Sequence, residues 1–230
     1  GLNAAAARRA LKLPKAVTLS FLPYGEATSR LAAEAREAGH EVMLHLPMQP
    51  HAGARADPWT LTLSSTAQDM QTALNRALQQ VPHVVGVNNH QGSLLTEQPS
   101  HMRWLMDAMD AYPHLFFVDS MTTAQSVALR SAYAAHIPAT RRNVFLDHVR
   151  SPEAISAQFD RLVREAKRHG TALAIGHPYP ETLDVLERRL PAMRHQGIQL
   201  VPVSHLINVR TAEREEQSWR VSLRLGGTAA

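Results

Sequence analysis

The stretch GHEVMLHLPMQP, residues 39–50, reads as a buried strand with a histidine set into it. Val42, Met43, Leu44 and Leu46 give the near-continuous apolar run of a parallel strand covered on both faces. Pro47 ends the run, because proline has no amide to donate to a central ladder. His45 therefore stands where the strand gives way to a loop, a position at which its packing explains little.

The same grammar recurs along the chain. Short runs rich in Val, Ile, Leu and Phe occupy 16–23 (AVTLSFLP), 41–47, 84–89 (VVGVNN), 115–120 (LFFVDS), 143–147 (NVFLD), 172–178 (ALAIGHP) and 199–204 (QLVPVS). Amphipathic stretches lie between them, among them EATSRLAAEAREAG ending at Gly39 and STAQDMQTALNRALQQ opening on a Ser/Thr cap. Strands alternating with helices this regularly imply a parallel α/β fold with right-handed crossovers. The expected architecture is a distorted (β/α) barrel of seven to eight parallel strands. The segment LNAAAARRALKLP is a helix capped by Asn3 with no strand before it, so a first strand is expected upstream of Gly1. The barrel domain is expected over 1–210. A charged and then Gly/Ala-rich tail follows over 211–230, frayed at its end.

Composition narrows the chemistry. The chain has 230 residues, 44% of them hydrophobic, and no cysteine, which excludes disulfides, thiolate ligands and cysteine nucleophiles. The net charge is +4, the basic residues are scattered and aromatics make up 5%, so a nucleic-acid surface of clustered charge and stacking rings is not indicated. No apolar run reaches the ~18 residues of a membrane span.

In α/β barrels the C-terminal strand ends converge on one face, where chemistry is done. Here those ends carry Pro23-Tyr24, His45, Asn88-Asn89-His90, Asp119-Ser120, Asp147-His148, His177 and Ser204-His205. Neutral imidazoles with nearby carboxylates and no thiols suit a divalent metal, zinc most readily. Such a site needs a proton donor or acceptor beside it, commonly His, Asp or Glu. His45, His90, His177, Asp119 and Asp147 supply those parts. Each also has a plainer reading: strand-end histidines are often structural, and both aspartates precede turns that they can cap. Asn88 and Asn89 can equally shape a turn, and Met102, Met106 and Met109 read as core.

Taken together and in this order, GHEVMLHLPMQP, VGVNNHQGS, LFFVDSMTT, VFLDH and AIGHPYPETL resemble the divergent polysaccharide deacetylase family, over residues 1 to about 205. These are bacterial envelope proteins related to carbohydrate esterases that remove N- or O-acetyl groups from glycans. The resemblance implies a distorted barrel, a glycan substrate, an extracytoplasmic (periplasmic) location and a metal held by one aspartate and two histidines. Ordinary members carry two metal-binding histidines four residues apart; here His45 takes the first position and Gln49 the second. It thus makes His45 and His90 the metal ligands and His177 the general acid. Asp119 becomes a catalytic partner orienting or charge-stabilising a histidine. Asn88, Asn89, Asp147 and Gln49 are left for substrate binding or support. Relatives begin with a strand ending in two adjacent aspartates followed by glycine, here Gly1, which implies a base and a third ligand upstream. An alternative is a catalytically impaired envelope module of the same fold that binds glycan or a partner protein. An unrelated amidohydrolase-type barrel would carry a His-x-His pair on its first strand, and none is present.

Overall fold

The computed structural model describes residues 3–52 and 57–225. Among them, a five-stranded parallel sheet runs in the order β1 (Leu19–Phe21), β2 (Val42–Met48), β3 (Val84–Gln91), β4 (Phe116–Asp119) and β5 (Ala139–Arg141). A second parallel pair, β6 (Val144–Phe145) and β7 (Ala174–Ile175), forms a separate sheet. The helices are α1 (Ala4–Ala10), α2 (Thr28–Glu37), α3 (Ala67–Gln80), α4 (Pro99–Asp110), α5 (Ala128–Ala134), α6 (Pro152–His169), α7 (Pro180–Arg189) and α8 (Val203–Leu225). The parallel α/β fold expected from strand-helix alternation is the one observed.

Local chemistry explains most boundaries. Asn3 Oδ1 accepts from the Ala5 and Ala6 amides and starts α1. Thr66 and Asp69 form a reciprocal capping box at α3. Gly39, with φ of 89°, turns the chain out of α2 into β2.

The structure departs from expectation at several points, beginning with β2, which runs on through Pro47 to Met48 instead of ending at Pro47. Residues 199–204 form no strand: Pro202 has no amide for a ladder, and its carbonyl instead accepts from Leu206 in the first turn of α8. Strand β5 carries little apolar signal because Thr140 and Arg141 make up two of its three residues. The expected boundary at residue 210 lies inside α8.

Strand register sorts residues to two faces. Val42, Leu44, Leu46 and Met48 face the helices and join the core formed with α2 to α5. The alternate residues face inward. Met43, Phe116, Val118 and Ile207 form an apolar floor inside the barrel, with Val85, Ile175 and Val203 packed against it. His45 is two residues above Met43 on that inward face, opposite Asn88 on β3. A third core lies under α6 and α7, around Val144, Ile155, Phe159 and Leu183.

β5 and β6 adjoin in sequence but belong to different sheets. Arg210 of α8 bridges them, donating to the Thr140 hydroxyl and, at 2.6 Å, to Asn143 Oδ1. At the start of α8, Ser204 and the Val203 amide bond Glu41 and Thr18, tying the helix to the entrances of β2 and β1.

Candidate functional site

The strand ends bring together most of the residues singled out in the sequence. His45 stands on the inward row of β2 between Met43 and Pro47, and His90 lies one step further out on β3, paired with Pro47. Their rings meet edge to face with centroids 4.6 Å apart. His45 Nε2 and His90 Nδ1 stand 2.9 Å from each other. On its far side, His90 Nε2 meets Asp57 Oδ2 at 2.7 Å. His45 Nδ1 is buried and has no hydrogen-bond partner.

This environment keeps both imidazoles neutral. Burial above the apolar floor pushes His45 well below the ordinary histidine value, and the neighbouring His90 and His177 push the same way. Burial also lowers His90, outweighing the opposing pull of Asp57. Tyr24, at the end of the β1 segment, is pushed up to about 12 by burial and then by the Asp57 carboxylate.

His177 follows β7. Its Nδ1 meets Asp147 Oδ1 at 3.0 Å, and its backbone amide donates to the other carboxylate oxygen. Thr182 in α7 donates its hydroxyl to that same oxygen at 2.8 Å. The Asp147 side chain is fully enclosed, whereas that of His177 is 37% exposed, so the ring is anchored at one nitrogen and open at the other. Burial alone would raise the Asp147 pKa; the bonds from His177 outweigh it and lower it. Phe145 and Tyr179 flank the ring at 5.6 and 5.3 Å, and Arg150 lies 3.6 Å over Tyr179.

Asp119 is placed differently from its expected role. Its Oδ1 accepts from the Met121 amide and its Oδ2 from Ser126, so the carboxylate shapes the loop after β4 and bonds no histidine. The carboxylate partner of His177 is Asp147 instead. Gln49 is also occupied. Its Oε1 accepts from the Leu63 amide and its backbone bonds Leu61, Leu94 and Leu95, which pins the loop after β2. Asn88 links Ser20 to Ser120 across three strands, and Asn89 accepts from the Ser120 amide. Both support the strand ends from below. His148 and His205 are exposed.

Asp57 was not among the residues picked out from the sequence. It lies in the segment between β2 and α3 rather than at a strand end, and only folding brings it to His90. Thr60 holds it there by bonding the Asp57 carbonyl through hydroxyl and amide. Backbone strain marks the same rim: Gln91, the last residue of β3, and Met121, just after β4, have φ of 53° and 51°.

The donor set fits a divalent metal in part. Two imidazole ligands of one tetrahedral zinc ion, each about 2.0–2.1 Å from it, leave their nitrogens about 3.3 Å apart. The facing pair, at 2.9 Å, needs to open by only a few tenths of an ångström to reach this spacing; it is held neutral as ligands must be, and carries a carboxylate on its outer nitrogen. Among the described residues no third His, Asp or Glu joins them.

Comparison with known proteins agrees with the fold. Residues 1–207 match the sequence model of the divergent polysaccharide deacetylase family. The chain is 34% identical over 198 residues to the uncharacterized protein YibQ of Escherichia coli K12, covering 86% of the chain and 61% of YibQ. It is also 34% identical over 197 residues to an uncharacterized Haemophilus influenzae protein, covering 84% of the chain and 69% of that protein. It thus spans about two thirds of these relatives. Among solved structures, the uncharacterized protein ATU2773 of Agrobacterium tumefaciens C58 superposes with a TM-score of 0.84 at 28% identity, covering 90% of this chain and 85% of that one. A lactam utilization protein of Thermus thermophilus shares the fold, with a TM-score of 0.60 at 14% identity over 85% and 91% of the two chains. On this match across nearly the whole chain, the protein belongs to the divergent polysaccharide deacetylase family.

Proposed function

We propose that the protein is a metal-dependent hydrolase that removes acetyl groups from an envelope or extracellular glycan outside the cytoplasm. The observation that carries this reading is the pair of neutral imidazole nitrogens facing each other at 2.9 Å, in the same strand-end rim as a half-exposed histidine anchored to a buried carboxylate. His45 and His90 would hold the metal, zinc being the best match to imidazole donors. When bound, it supplies Lewis-acid polarisation and a water of lowered pKa. By the family resemblance, the third ligand and the base would be a pair of adjacent aspartates.

The chain's own residues do the rest. Asp147 accepts the Nδ1 proton of His177, which turns Nε2 toward the open side of the ring. From there His177 protonates the departing amine or alcohol as its bond to the acetyl carbon breaks. The neighbouring carboxylate stabilises the charged imidazolium until that transfer. Phe145 and Tyr179 fix the ring's position from two sides.

A binding module of the same fold is the second reading. It is favoured by Gln49 being committed to the loop and by the lack of a third ligand among the described residues. Acetate release from acetylated glycans by the full-length protein, with and without added zinc, separates the two. The hydrolase reading expects zinc-dependent release that His177→Ala reduces by ~100-fold or more, the scale of general acid catalysis. No release from any acetylated glycan, with glycan still bound, favours the module.

A further inference from the structure

We propose that Asp57 is the positioning residue that sets the proton arrangement of the His45–His90 pair; this rests on the metal-site reading above. The chain of contacts is continuous: Asp57 Oδ2 to His90 Nε2 at 2.7 Å, then His90 Nδ1 to His45 Nε2 at 2.9 Å, ending at the buried, unpartnered His45 Nδ1.

An ionised carboxylate only accepts hydrogen bonds, so the proton between Asp57 and His90 sits on Nε2. In a neutral imidazole the other nitrogen is then a bare acceptor, which places a lone pair on His90 Nδ1, facing His45. His45 must answer with a proton on Nε2, leaving its own Nδ1 bare. That is the metal-free arrangement; a cation taking the lone pair of His45 Nε2 would leave the proton of that ring on Nδ1. Reversing the chain would set a lone pair of His90 Nε2 against the Asp57 carboxylate at 2.7 Å. Asp57 thus decides which nitrogen of His90 is available to a cation, and it does so from a loop. That loop is fastened by Thr60 to the Asp57 carbonyl, and by His51 to Ser93 and, at 3.1 Å, to Glu97. Tyr24 lies against the same carboxylate.

The test reads protons directly. The metal-free full-length protein, labelled with 15N-histidine, is examined by imidazole nitrogen NMR above the ordinary histidine range, as wild type, Asp57→Asn, Asp57→Ala and Asp57→Glu. Wild type should show both rings protonated at Nε2 with bare Nδ1. Asp57→Asn and Asp57→Ala should give a second tautomer for both rings together, and Asp57→Glu should recover the single form at least in part. Zinc affinity, measured by competition with a chromophoric chelator, should fall about 10–100-fold in Asp57→Ala, as for other carboxylates behind metal-binding histidines. Unchanged tautomers in folded Asp57→Ala overturn the proposal, whether or not zinc affinity changes. Altered tautomers in the Asp57 variants of a protein that binds no zinc as wild type uphold it and instead contradict the metal-site reading.

Discussion

Asp147 receives two bonds from a single residue, His177: its ring Nδ1 at 3.0 Å on one carboxylate oxygen and its backbone amide on the other. With Thr182 added, three donors converge on a side chain that solvent does not reach. The carboxylate therefore fixes both the end of β7 and the aim of the imidazole. Its loss has a structural and a chemical consequence, which different experiments read.

For stability, the sign follows from the lowered pKa of Asp147. A folded value below the unfolded one adds stability above the ordinary carboxylate pKa of about 3.9, and that stability is lost as the pH falls through the folded value. Asp147→Asn should cost about 1–3 kcal/mol at neutral pH by leaving buried donors unmatched. Urea denaturation between pH 7 and about pH 2.5, below the ordinary carboxylate range, should show the gap from wild type closing on the acid side. A gap of constant size would contradict the role given to the charge.

Gly86 makes a sharper packing prediction. A Cβ built there would lie 2.3 Å from the Phe116 ring, which fills the barrel floor from the neighbouring strand. Gly86→Ala should destabilise the fold by about 1–3 kcal/mol, the usual cost of overpacking a filled core. Denaturant midpoints check this; a neutral substitution would mean that the floor is looser than described.

Gln49 separates loop anchoring from ligation. Gln49→Ala removes the acceptor for the Leu63 amide and should cost about 1 kcal/mol. It should leave bound zinc stoichiometric by elemental analysis, because its amide is engaged with the loop. Loss of the metal from a folded Gln49→Ala protein would place Gln49 among the ligands after all.

The sequence made the strand ends legible because a buried parallel strand is nearly all apolar, so a polar residue closing the run stands out. His45, Asn88, His90, Asp147 and His177 were found that way. Asp57 was invisible to the same logic, since it sits among loop residues and meets His90 only through tertiary folding. Asp119 and Asp147 show the limit within the method. Both are buried strand-end aspartates, and position alone cannot tell the one that binds its own loop from the one that holds a histidine. The apolar run at 199–204 forms no strand because Pro202 has no amide for a ladder, and its carbonyl starts α8 instead.

The most direct test of the central claim is the metal content of the full-length protein, purified with added zinc and exhaustively dialysed, compared with His45→Ala and His90→Ala. The account predicts one zinc per chain in the wild type and essentially none in either variant, with both variants folded by circular dichroism. Stoichiometric zinc retained in both would contradict it.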